Sequence, residues 1–162
     1  MKWLITKISL ILARLLSYLP TPILLVFADI LGFFFLHIFS YRKSVIDINL
    51  MHAFPHKKSE ELWFIRSKFY RHLADIIMET IKSITISKNE LAQRIQLHHN
   101  SYELLKKYEQ SGRSIFIILG HFGNWEWASL LAGLETKLPT YAIFAPTKNS
   151  MFNQFMLKNR TR

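Results

Sequence analysis

The sequence predicts an α/β fold in which an N-terminal membrane helix or helix pair precedes an αβ core. Three observations predict it. Residues 3–39 are mostly apolar and aromatic. Two short apolar runs of β type, residues 114–119 and 140–144, lie further along the chain. Segments with helical patterning surround those runs, giving the order αβαβ, the grammar of a parallel sheet covered by helices.

Composition narrows the classes. The 162 residues suffice for one domain with a modest core, and half of them are hydrophobic. Cysteine is absent, which excludes disulfides, thiolate metal sites and cysteine nucleophiles. The formal net charge of +10 suits an anionic membrane surface, phosphorylated lipids, an acidic protein or nucleic acid. Nucleic acid fits worst, because the basic residues are spread out and the aromatics lie in apolar runs rather than between them. Neither a G-x-S-x-G elbow nor a G-x4-G-K loop occurs, which disfavours hydrolase and phosphate-loop readings.

Within the N-terminal segment, Lys7 and Arg14 interrupt the first half and Pro20-Thr21-Pro22 marks the middle. Residues 23–39 approach the lower length limit for a spanning helix. No small-residue cleavage site follows, and Arg42 and Lys43 come next. One spanning helix, an interfacial or re-entrant pair, and a buried helix of the soluble domain all remain open. Basic residues on both sides give no clean orientation, and Asp29 favours a shallow or partnered placement.

Residues 42–54 read as a helix stopped by Pro55. A long helix follows from Glu60 to about Ile84, with Ser59 as its cap and Glu60 and Glu61 at its positive end. Leu62, Ile65, Phe69, Leu73, Ile76 and Ile77 fall at helical spacing and are the expected buried stripe. His52 and His56 sit four apart but flank Pro55, and His98 and His99 are adjacent, so neither pair is taken as a metal site. Residues 89–94 read as a helical turn, 95–99 as a strand and 102–110 as a helix.

The central stretch is residues 114–128. Its apolar run fits a strand buried on both faces. Gly120 and Gly123 then permit a sharp turn and close approach of a ligand, and residues 125–135 form a helix capped by Asn124. His121 and Glu126 would diverge by roughly 140° on one helix. They can meet if the histidine leaves the strand in a loop and the glutamate sits in the first helical turn. A carboxylate so placed orients an imidazole and stabilises its cation, as a general base requires.

Gly120-His121-Phe122-Gly123-Asn124-Trp125-Glu126 resembles the H-x4-(D/E) block of the lysophospholipid acyltransferase superfamily, and more narrowly its lipid A biosynthesis (lauroyl/myristoyl) branch. Asn49-Leu50-x-x-Ala53-Phe54-Pro55, the run from Phe69 to Asp75, and Glu79-x-x-Lys82 are similar to the pre-catalytic helices of that family. Residues 140–149 and the helix after them resemble its second block, on Pro146, Lys148, Asn149, Arg160 and Arg162. Ala145 stands where a basic residue is usual, and Asn153 where an aspartate is.

The resemblance implies a membrane-anchoring segment over 1–40 and the N-terminal part of an acyltransferase catalytic domain over 41–162, incomplete at the C-terminus because family members are longer. It implies His121 and Glu126 as catalytic residues. Gly123, Asn124, Lys148, Arg160 and Arg162 are the implied substrate-binding residues, the cations meeting lipid phosphates. The implied donor is acyl-acyl carrier protein and the implied acceptor a hydroxyl of a lipid A precursor, at the cytoplasmic side of a bacterial inner membrane. No metal or other cofactor is implied. A lysophospholipid or aminolipid acceptor, and a catalytically silent membrane-anchored module, are the alternatives.

Overall fold

The structure is a computed structural model describing residues 2–161, with Met1 and Arg162 outside the described residues. Among the described residues eight helices follow one another: α1 (Lys2–Ser17), α2 (Thr21–His37), α3 (Lys43–Ala53), α4 (Ser59–Lys82), α5 (Lys88–Arg94), α6 (His99–Gln110), α7 (Trp125–Glu135) and α8 (Ser150–Arg160). The expected α/β class is overturned, since no strand forms among the described residues. Residues 114–119 and 140–144 run without regular structure, as do 95–98. An apolar run becomes a strand only when a neighbouring backbone completes its hydrogen-bond ladder. Among the described residues no such ladder exists.

Of the three readings left open for the N-terminal membrane segment, the single spanning helix is overturned. Pro20 separates α1 from α2, and no described helix is long and apolar enough to cross a membrane. At a rise of 1.5 Å per residue the two helices reach only about 24 and 26 Å, short of a hydrocarbon core of roughly 30 Å.

The chain divides into two compact units, one of Leu19–Glu79 and one formed by the residues up to Tyr18 with those from Thr80 onward. In the first, α2 lies against α4 along a seam of small residues. Thr21, Leu24, Ala28 and Gly32 are buried on α2, and Tyr70, Ala74 and Met78 on α4. A β-carbon added at Gly32 would stand 3.2 Å from the Arg71 Cα and 3.6 Å from the Ala74 Cβ, so the helices touch almost backbone to backbone. The buried stripe of α4 is therefore rotated from the expected one. Phe69 is exposed, and the other five expected residues are only half-buried.

Tyr70 donates its hydroxyl to the Tyr41 carbonyl at 2.9 Å, Arg66 donates to Asp47 on α3, and Arg71 lies 3.3 Å from Asp29. This last pair is exposed at both ends and contributes about 0–1 kcal/mol. Asp75 has its carboxyl pKa raised by burial and, secondarily, by the Asp29 charge. Ser59 is the first helical residue of α4 rather than its cap; the Glu61 carboxylate instead accepts from the Lys58 backbone N–H at 3.0 Å, half of a capping box.

In the second unit α1 packs on α8 and α5 on α7. Ile86, Leu91 and Trp127 form a buried cluster with Ile95 and Leu130 against it. Polar contacts tie the remaining pieces. Asn159 donates to the Ser83 hydroxyl at 2.9 Å in a buried contact, Thr85 donates to the Ser17 carbonyl, and Asn149 to the Thr6 hydroxyl at 2.9 Å. Glu109 on α6 accepts from the Lys137 N–H and the Thr136 hydroxyl, and Lys106 donates to the Glu135 carbonyl at 2.8 Å. Those bonds clasp α6 to the end of α7, and they pull the Glu109 carboxyl down to about 2, the Lys137 N–H contributing most.

Candidate functional site

The site is built where the extended run of residues 113–119 turns into α7. Gly123 adopts a φ of +61°, a left-handed conformation that glycine alone takes without strain. Asn124 follows as the N-cap, its side-chain oxygen accepting from the Trp127 N–H at 3.0 Å. This satisfies one of the donors that every helix start leaves unpaired. Trp127 is driven into the α5–α7 cluster, which fixes the rotation of α7 and with it the direction of Glu126, one residue earlier. Gly123 and Asn124 thus serve the local backbone, and no residue crowds the space around Gly120 or Gly123.

Glu126 lies in the first turn of α7, with its side chain only 12% exposed. Both of its oxygens are engaged by Arg160 from the last turn of α8, Nη2 to Oε1 at 2.6 Å and Nε to Oε2 at 3.1 Å. Planar guanidinium matches planar carboxylate in this two-bond form, and charge assistance makes it strong. The ring of Phe144 lies 5.1 Å from the Arg160 guanidinium carbon, within cation–π range. Residues from the second apolar run, from α7 and from α8 therefore meet at one ion pair.

His121 is exposed, and its ring packs edge-on against Trp125, 4.9 Å between centroids. Among the described residues no hydrogen bond joins His121 to Glu126. The loop and helix placement that the spacing demands is present, but here the carboxylate is held by an arginine and the imidazole by an indole. Around them the apolar side chains point outward: Ile118 is 92%, Phe122 93% and Ile143 94% exposed.

The remaining sequence-predicted residues divide. Asn149 caps α8, accepting from the Phe152 N–H at 3.1 Å, and Lys148 is exposed just before it. The length of α8 separates Asn149 from Arg160 by about 16 Å along its axis, so Lys148 and Asn149 do not share one phosphate with Arg160. Arg162 lies outside the described residues. Asn153, standing where the family pattern has an aspartate, accepts from the Thr147 N–H at 2.9 Å and donates to the Thr147 carbonyl at 2.7 Å. A carboxylate could not make the second of these bonds.

Sequence reasoning missed three participants, namely Trp125 beside His121, Phe144 under Arg160, and Arg160 as the partner of Glu126. Only the first lies within local reach of the motif. No group of three or more histidine or acidic side chains suited to a metal occurs among the described residues.

No curated protein and no solved structure matches the chain. The family model for bacterial lipid A biosynthesis acyltransferases matches residues 1–162, and the H-x4-E block and the arginine-ended α8 both fall inside that match. By that match the chain belongs to the bacterial lipid A biosynthesis acyltransferase family, whose members are acyltransferases acting on a lipid acceptor.

Proposed function

We propose that the chain belongs to a membrane-associated O-acyltransferase that moves a fatty acyl group from acyl-acyl carrier protein to a hydroxyl of a lipid A precursor. One observation carries the reading: an H-x4-E pair placed across the turn into α7, in a chain that the family model spans from end to end.

His121 is the general base. Its unprotonated ring nitrogen takes the proton of the acceptor hydroxyl as the oxygen attacks the thioester carbonyl carbon. Glu126 orients the imidazole and stabilises the imidazolium. The tetrahedral intermediate collapses with cleavage of the carbon–sulfur bond, the imidazolium returns its proton to the departing thiolate, and an ester and a free carrier thiol result. Backbone N–H groups at the start of α7 are the candidate donors to the developing oxyanion. Gly123 and Asn124, which shape the turn into α7, are the candidate contacts to the acyl carbonyl, while Lys148 and Arg162 are candidate contacts to acceptor phosphates.

Association with a lipid surface draws support from α1. Its Thr6, Leu10, Ala13 and Ser17 are covered to varying degrees, whereas Leu4, Ile8, Ile11 and Leu15 form an exposed apolar stripe. Lys7 and Arg14 border that stripe, with Lys7 5.0 Å from the Trp3 ring. An apolar face edged by cations and an interfacial tryptophan suits a helix lying in the plane of an anionic membrane. The location proposed is the cytoplasmic side of a bacterial inner membrane, where an acidic carrier protein would meet the basic chain.

A second reading is favoured by the engagement of Glu126 with Arg160 rather than His121, namely a catalytically silent module. Labelled acyl-acyl carrier protein and lipid acceptors incubated with membrane fractions decide between them. Transfer by the wild type that falls on the order of 10²- to 10⁴-fold in His121→Ala, with a comparable loss in Glu126→Ala, supports the enzyme. Absence of transfer from the wild type supports the silent module.

A further inference from the structure

We infer that Arg160 is a positioning residue, which acts through Glu126 by fixing its carboxylate plane at the start of α7 rather than by binding the phosphate of an acceptor lipid. The inference rests on the acyl-transfer reading for its consequence in turnover, and on geometry for the positioning itself.

Geometry comes first. A carboxylate offers about four lone-pair directions on two oxygens. The Arg160 fork takes one on each, at 2.6 and 3.1 Å, and leaves one on each for an imidazole N–H. Arginine and histidine can therefore hold the same carboxylate together. The two bonds take the Nε–H and one Nη2 N–H, so the side edge of the guanidinium is committed to Glu126 and only its terminal edge is left for another acceptor. Its remaining freedom is closed from behind by Phe144, and its side chain is only 21% exposed.

Electrostatics point the same way. Glu126 sits at the positive end of the α7 dipole, and Arg160 at the negative end of the α8 dipole. Each charge is thus favoured by its own helix, and the pair locks two helix ends at a defined separation. A free glutamate side chain would sample several rotamers, whereas a histidine base needs its partner in one place. Displacements of about 1 Å remote from the chemistry can cost on the order of 100-fold in rate.

The experiment uses the full chain in membrane fractions or in detergent, with Arg160→Gln, Arg160→Lys, Glu126→Gln and the Glu126→Gln/Arg160→Gln double variant. Two readouts are taken. The first is NMR of the 13C-labelled Glu126 side chain, which reports its order without any turnover. Wild type is expected to show one ordered conformation, and Arg160→Gln an averaged one, with the helical circular dichroism retained and Arg160→Lys intermediate. The second is kinetic. Arg160→Gln is expected to lower kcat by about 10- to 100-fold with KM for the acceptor nearly unchanged, and to add no loss on the Glu126→Gln background.

A Glu126 side chain that is equally ordered in Arg160→Gln overturns the inference. So does a raised KM with kcat retained, or a loss that multiplies on the Glu126→Gln background, either of which would make Arg160 a direct lipid contact. If wild type transfers nothing while the NMR contrast holds, the acyl-transfer reading fails and the positioning of Glu126 stands.

Discussion

The α2–α4 pair and the two extended runs that lead to His121 and to Phe144 are both rich in apolar residues and end in opposite states. On α2, Leu24, Ala28 and Gly32 are buried, and Gly32 lies directly against Tyr70, Arg71 and Ala74 of α4. In the extended runs, Phe116, Ile118, Tyr141 and Ile143 stand in the open. The difference lies in the backbone. A helix closes its own hydrogen bonds, so one neighbouring face is enough to bury an apolar side. An extended run must find both a face and a backbone partner before its side chains can be covered. Helical parts of this chain are therefore settled by near neighbours, and the parts that deliver His121 and Phe144 are not.

The sharpest way to break that contrast is at its tight end. Gly32→Leu adds a side chain where even a β-carbon would lie 3.2 Å from the Arg71 backbone. Overpacking of this kind costs about 1–3 kcal/mol, and the neighbour here is main chain, which cannot swing aside. The helix-propensity gain of replacing a glycine, up to about 1 kcal/mol, offsets only part of it. The urea midpoint of the variant is expected to fall with its slope unchanged. An unchanged midpoint would mean that α2 and α4 do not approach as described.

A smaller effect tests the clasp between α6 and α7. Glu109 is held well below the usual carboxylate range, at about 2, first by the Lys137 N–H and then by the Thr136 hydroxyl. A lowered folded-state value means that the unfolded chain binds the proton more readily. The stabilisation is thus fully present above the ordinary glutamate value of about 4.3 and is lost as pH falls toward 2. Urea midpoints measured from pH 6 to pH 2 should decline less steeply in Glu109→Gln than in wild type. Parallel curves would show that the clasp is not formed.

How much of this is readable in the sequence follows from the same contrast. The α7 helix, with its cap at Asn124, is legible to the residue because the cap, the glycine before it and the first turn are adjacent in sequence. The long α4 helix is legible for its periodicity. Its buried seam is not, because large apolar residues mark the expected stripe while the closest packing uses Gly32 and Ala74. The strands fail because residue type reports a preference for extended backbone and says nothing about whether a partner backbone is at hand. At the site, His121 and Glu126 are legible as a motif of fixed spacing. The Arg160–Glu126 pair joins residues 34 apart, and the Asn149–Thr6 bond residues 143 apart; no local pattern announces either.

The smallest expected effect is also the most direct probe of the open end. If residues 118 and 143 are as exposed as described, replacing their isoleucines with serine removes no packing and breaks no ladder. Ile118→Ser and Ile143→Ser should then shift stability by no more than about 0.5 kcal/mol, while lowering the tendency of the chain to self-associate through bare apolar backbone. Urea midpoints combined with light scattering read both quantities on the same samples. A loss of roughly 2 kcal/mol or more at either position, the size expected of a core truncation, would show that the run is buried in solution and paired with another segment. The extended region would then be as settled as α2 and α4, and the contrast between them would vanish.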